Sequence, residues 1–289
     1  MTKKQKIKAI LIFAAIIFVI ILLMTLIRSA NRPEENIQIQ MKDVVLHETY
    51  QVNFLGMTVN PGLISAFIVT GIFLIVGLLV RFVAVPRFKR VPGKIQTLLE
   101  TVVGMFDHMA QSNSPHMNSF LGAYIFTAGC YIFFGTVFEL FGFQVITTSG
   151  RPVSLPAPLS DINGAICLGC LSYLIILSGG IIANGMKGVG KTLKDFSLPI
   201  SMSFRLFGAL LSGALVTELV YFYPLTQYGF PIIVGVLFTL LHALIQAYVL
   251  TTLTSVFYGE VSEKTPPKPK KEKKPRHKAS RHQEANVQA

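Results

Sequence analysis

The sequence predicts an all-α protein that crosses a membrane several times, and three observations carry that prediction. Of 289 residues, 52% are apolar and only 14% are charged. The mean hydropathy is +0.57. The apolar residues gather in runs of about 20, the length a helix needs to cross a bilayer core. Two soluble domains would fit the length but not this composition. The net charge of +12 belongs mainly to the ends: residues 1–8 carry four Lys and no acid, and residues 260–289 carry nine Lys/Arg against four Glu. What lies between is close to neutral, so the charge does not imply nucleic-acid binding. Cys130, Cys167 and Cys170 all sit in apolar runs, where a thiol behaves as a small hydrophobe. Cys167 and Cys170 have CxxC spacing but no second Cys or His pair to complete a zinc site, so no metal or cofactor is expected.

Six runs are candidate spans, at residues 7–27, 63–85, 120–143, 162–183, 198–223 and 230–258. With the N-terminus inside, six crossings put residues 1–6, 86–119, 184–197 and the tail on the inner side. Counting Lys8 and Arg81 with these segments, they hold 21 of the 26 basic residues. Arg28, Arg32, Lys42 and Arg151 fall outside, and Arg205 lies within the fifth run. Positive loops stay on the cytoplasmic side, so charge and crossing number agree.

Residues 1–30 read as an uncleaved signal anchor in preference to a cleaved signal peptide, because the apolar run is long for a signal and Arg28-Ser29-Ala30 is a poor cleavage site. Residues 31–61 form an outer-side segment, and residues 62–260 the membrane domain. Within it, Ile95, Leu98, Leu99, Val102, Val103 and Phe106 recur at helical spacing, predicting an amphipathic helix on the inner interface at about 91–112. Residues 261–289 form a basic tail, Lys/Pro-rich from Glu263 and too polar to bury a core.

A charge near the bilayer centre costs about 2.5 to 3.5 kcal/mol on insertion scales, so intramembrane polar residues are functional candidates. Arg205 is the sharpest. Its guanidinium keeps its proton and so cannot relay one, but it can hold a fixed positive charge that attracts a carboxylate and repels a passing cation. The competing reading pairs it with Glu139 or Glu218. Glu218 follows 13 residues later, about 220° around the helix, which excludes a simple intrahelical pair. It serves either a path on another face or the outer interface, near Tyr221 and Tyr223. His242 and Gln246, at i and i+4 with Thr239 just before, form a polar stripe expected to line a pathway. Glu139 is a channel mouth or an anchor at the outer end of its span. Asp161 and Asn163 stand at a span entrance. Gly208, Ala209, Ser212, Gly213 and Ala214 strip the Arg205 helix of bulk, which suits close approach by another helix.

The run Pro199-Ile200-Ser201-Met202-Ser203-Phe204-Arg205-Leu206-Phe207-Gly208, followed by Leu244-Ile245-Gln246-Ala247-Tyr248-Val249-Leu250-Thr251-Thr252-Leu253-Thr254, resembles subunit a of F-type ATP synthases. Val91-Pro92-Gly93-Lys94-Ile95-Gln96 and Pro158-Leu159-Ser160-Asp161-Ile162-Asn163 match two further motifs of that family in the expected order. The resemblance covers about residues 44–263. It implies a stator subunit beside a ring of c subunits, with b-type peripheral stalk subunits, the F1 catalytic sector and membrane lipid as further partners, in a bacterial cell inner membrane. The fold it implies has about five or six membrane helices, the last two long and tilted along the ring. Arg205 matches the residue that promotes release of the proton from each ring carboxylate and blocks a leak between two half-channels. Gln246, Glu139, Asp161, Asn163 and Ser201 match half-channel positions, and Asp195 does so loosely. Such a subunit has no catalytic site of its own.

The sequence departs from the family at Ala209, where Asn is common, and at Ala214 and Thr239, where an ionisable pair is common. Glu218 is one turn beyond Ala214 and His242 three residues beyond Thr239, so the relay pair is expected to have shifted by a turn. Two other readings compete: a small secondary transporter whose anionic substrate binds Arg205, which should show repeats or broken helices at mid-membrane, and a scaffold whose polar residues only pair with one another.

Overall fold

The computed structural model describes residues 57–116, 118–146, 152–223 and 230–264, with residues 52–54 and scattered positions before them. The predicted span at residues 7–27 is described only at scattered helical positions. Most of segment 31–61, and the tail beyond residue 264, lie outside the described residues.

A small antiparallel hairpin, β1 (Val52–Phe54) and β2 (Met57–Val59), leads into α1 (Pro61–Leu79). Asn60 caps α1 by accepting from the Gly62 N–H at 3.0 Å, and Pro61 stands where its missing N–H costs nothing. The rod continues as a π turn at Val80–Ala84 and a 3-10 turn at Val85–Arg87. Pro86 cannot donate to the preceding turn, so regular α geometry does not carry through it.

The amphipathic helix α2 (Lys94–Asn113) follows a short linker clamped by Gln96. Its amide donates to the Lys89 carbonyl and accepts from the Lys89 N–H, both at 3.0 Å. The predicted apolar stripe divides. Phe106 and Ala110 are buried against the next helix, with Phe106 edge-on to Phe126, while Ile95, Leu98 and Val103 are exposed.

Three long helices then form the core: α3 (Ser119–Phe138), α4 (Ile162–Asn184) and, after a turn, α6 (Ser197–Phe222). The last helix, α7 (Phe230–Ser262), packs against all three. Leu121, Ile125, Ala128 and Ile132 form a buried stripe on α3, joined by Leu206 and Leu210 of α6 and Leu250 of α7 in one apolar cluster. Between α3 and α4 lie a second hairpin, β3 (Gln144–Ile146) with β4 (Pro152–Ser154), and a buried turn at Pro158–Ser160. Among the described residues five helices are long and apolar enough to cross a membrane. At 33 residues α7 is about 50 Å long, well beyond a core of about 30 Å.

The residues between α4 and α6 contain an element that the sequence reading did not anticipate, α5 (Met186–Leu193). It folds back along α4 through Gly185, whose φ is +59°. A Cβ on Gly188 would overlap the Gly180 carbonyl, so only glycine permits this approach. One turn on, the Tyr173 hydroxyl of α4 donates to the Thr192 carbonyl at 3.1 Å.

Candidate functional site

The second half of α6 and the first half of α7 run antiparallel, and a cavity of about 380 Å³ opens between them and the end of α3. Glu139 comes from the end of α3, Ala214 and Glu218 from α6, and Thr239 and His242 from α7. Ala214 and Thr239, two of the three departures noted above, thus share one space with the two ionisable residues near them, while Ala209 is not in the lining. Gly213 sets the spacing: a Cβ there would stand 3.3 Å from His242 Nδ1, so the missing side chain leaves room for the imidazole. Phe238, one turn before, lies 5.8 Å from the His242 ring. The Glu139 carboxylate meets the backbone amide of buried Ala157.

Arg205 lies outside this cavity. Eight residues before Gly213, it is about 12 Å further along α6, or roughly two turns. It is exposed and shares a stripe with Ser201, Gly208 and Ser212, all exposed and small. Among the described residues neither a hydrogen bond nor an ion pair engages its guanidinium, so the pairing with Glu139 or Glu218 is not formed. A bare guanidinium on a lean stripe can receive a carboxylate carried by another helix.

The other predicted positions are spread out. Gln246 is 8% exposed and, like its helix neighbours Ala243, Ala247 and Leu250, buried, so the expected His242–Gln246 stripe splits between cavity and interior. Asp161 caps α4, accepting from the Asn163 N–H at 3.0 Å and from Asn163 Nδ2 at 3.1 Å. This pair organises a helix start and is not part of the cavity lining. Asp195 lies in the link from α5 to α6, where its carbonyl accepts from the Leu198 N–H at 2.9 Å. Thr217 and Tyr221 also line the cavity, though the sequence reading gave them no pathway role. Their spacing from Glu218 and Ala214 on one helix was the available signal. No cluster of metal-binding side chains occurs among the described residues.

A family model described as ATP synthase A chain matches residues 63–259, which is more than half of the chain and includes Arg205 and the whole cavity. The chain is also similar to proteins named ATP synthase subunit a. That of Acidothermus cellulolyticus is 26% identical over 235 residues, covering 75% of this chain and 82% of the relative. That of Dichelobacter nodosus is 26% identical over 204 residues, covering 60% and 78%, and that of Cereibacter sphaeroides is 26% identical over 179 residues, covering 58% and 69%. With five apolar helices among the described residues and a family match across them, the chain is a multi-pass membrane protein that belongs to the ATP synthase A chain family.

Proposed function

We propose that this protein is the ion-conducting stator subunit of an F-type ATP synthase in a bacterial inner membrane. In this reading it offers two proton half-channels to a ring of c subunits. Arg205 separates them and promotes deprotonation of each ring carboxylate as it passes. The observation that carries the reading is the placement of a cavity lined by Glu139, Glu218 and His242 about two turns from Arg205, which has no partner among the described residues and stands on a lean, exposed stripe.

The charge bias toward the inner side orients α3 and α6 with their C-terminal ends outward. The cavity is then the outer half-channel. Glu139 is its mouth, and Glu218 and His242 carry the relay that the family usually places at the positions of Ala214 and Thr239. Gln246, Ser201 and Asp195 belong to the approach to Arg205 and the inner path, and Asp161 and Asn163 hold the outer loop. The ring, the b-type stalk and the F1 sector are the partners this role requires, and the catalytic chemistry resides in F1. A transporter binding an anion at Arg205 would need that residue to line a cavity, and it is not in the lining of the α6–α7 cavity.

Arg205→Ala in the assembled complex tests the reading. ATP synthesis is expected to fall roughly a hundredfold or more, as when one fixed charge is removed from a preorganised site, with passive proton leak recorded in the same vesicles. Co-purification with ATPase activity verifies assembly. Unchanged synthesis would overturn the proposal.

A further inference from the structure

Residues 81–94 lead from the end of the α1 rod into α2 and carry Arg81, Arg87, Lys89, Arg90 and Lys94, with no acidic residue among them. All five are exposed. Among the described residues none of their side chains takes part in a hydrogen bond or an ion pair. The carboxylates of α2 that could answer them are engaged elsewhere: Glu100 accepts from Gln96 Nε2 and Asp107 accepts from Gln111 Nε2, both at 2.8 Å. The Gln96 clamp on the Lys89 backbone pins this elbow against the first turn of α2.

Apolar side chains are interleaved with these cations. Phe82, Val91, Ile95 and Leu98 are 72%, 83%, 73% and 64% exposed. A water-soluble acidic partner would answer the charges and leave these side chains wet. A headgroup layer answers both, with phosphates at the cations and upper acyl carbons around the apolar groups. The depth agrees. The inner-side charge bias orients α1 with Arg87 inward. Arg81 stands about 30 Å of helix beyond Pro61, the thickness of a hydrocarbon core, and Arg87 about 9 Å further, at headgroup level. The buried residues of α1 are Pro61, Gly62, Ser65 and Val69, so tight protein packing is confined to its outer half.

We propose that the α1–α2 elbow is a binding site for anionic phospholipid of the inner leaflet, with phosphates on Arg87, Lys89, Arg90 and Lys94 and acyl chains against Phe82, Val91 and Ile95. Charge complementarity selects the lipid, because an anionic headgroup keeps the attraction of each cation that a zwitterionic one largely cancels. The bound lipid fixes the inner end of α1, which packing leaves free. The site uses neither Arg205 nor the α6–α7 cavity, so this inference stands or falls separately from the ion-path reading.

The test uses the assembled complex in phosphatidylcholine vesicles doped with a phosphatidylglycerol or a phosphatidylcholine probe, each carrying a diazirine near the glycerol end of one acyl chain. After irradiation, adducts are mapped on peptides covering residues 82–99. The phosphatidylglycerol probe is expected to give at least roughly fivefold more adduct, the contribution of one cation at an anionic surface. An Arg87→Gln, Lys89→Gln, Arg90→Gln triple variant should bring it down to the phosphatidylcholine level while leaving ATP-driven pumping intact. Arg87→Lys, Lys89→Arg, Arg90→Lys, which keeps the charge, should retain the preference. Equal labelling by the two probes in the unaltered complex overturns the proposal whether or not the triple variant assembles. Labelling indifferent to the three cations overturns it as well. So does absence of adducts on residues 82–99, which would mean that a protein partner covers the elbow.

Discussion

Two regions of this molecule collect polar residues inside an apolar protein, and they are built differently. At the α6–α7 cavity the groups are ionisable, they come from three helices, and they face an open space. At the far end of α7 the groups are neutral amides and hydroxyls, apart from one histidine and one lysine, and they are tied to backbone or to one another. Asn184 Nδ2 donates to the Val261 and Glu263 carbonyls at 3.0 and 2.9 Å. Asn113 Nδ2 donates to Ser255 Oγ at 3.1 Å, and His116 Nε2 shares a hydrogen bond with Ser262 Oγ at 2.9 Å. Lys191 donates to the Glu260 carbonyl. Polarity in a membrane protein therefore has two meanings. Groups that satisfy backbone lock helices together, and groups left facing a cavity are available for transport.

The contrast can be broken most directly at the cavity. Replacing Glu218 and His242 together with Ala is expected to cut ATP-driven proton pumping in membrane vesicles roughly tenfold or more, with the complex still assembled. Intact pumping would return both residues to a packing role. Gly213→Val places methyl groups where His242 stands, and pumping in the same assay should drop roughly fivefold, the equivalent of about 1 kcal/mol of overpacking.

At the clasp the expected effect is on stability. Asn184→Ala removes two hydrogen bonds to the end of α7 and should lower resistance to denaturant by about 1 to 2 kcal/mol, leaving the pumping rate per assembled complex unchanged. Lost pumping without lost stability would erase the distinction between the two regions. The smallest effect is expected at Thr254, whose buried hydroxyl has no hydrogen-bond partner among the described residues. Thr254→Val should be neutral or stabilising by no more than about 1 kcal/mol in the same unfolding measurement.

Much of this was legible along the chain. The spans predicted at residues 162–183 and 198–223 appear as Ile162–Asn184 and Ser197–Phe222, because helix length in lipid is set by hydrophobic run length and little else. Arg205 stood out through its insertion penalty alone. What could not be read is what depends on packing. α5 contains two glycines, poor helix formers, and is held by its fit against Gly180. The two hairpins are three residues per strand and carry no periodic signal. The convergence of Glu139 with Glu218 and His242 is a distance between three helices, which spacing along one helix does not encode. Gln246 illustrates the limit: four residues on from His242 leaves about 40° of rotation, enough to move a side chain from a cavity into the interior.

Taken mechanically, α7 is a beam fixed at one end. Its final turns are held by Asn113, Asn184 and Lys191, while Ile232, Ile233 and Leu237, at the start of the helix, are exposed. A sideways push on the α6–α7 pair is carried along the beam to that fixed end and spread into α2, α4 and α5. In the proposed role, the load that a passing rotor puts on this pair is taken up at that anchored end.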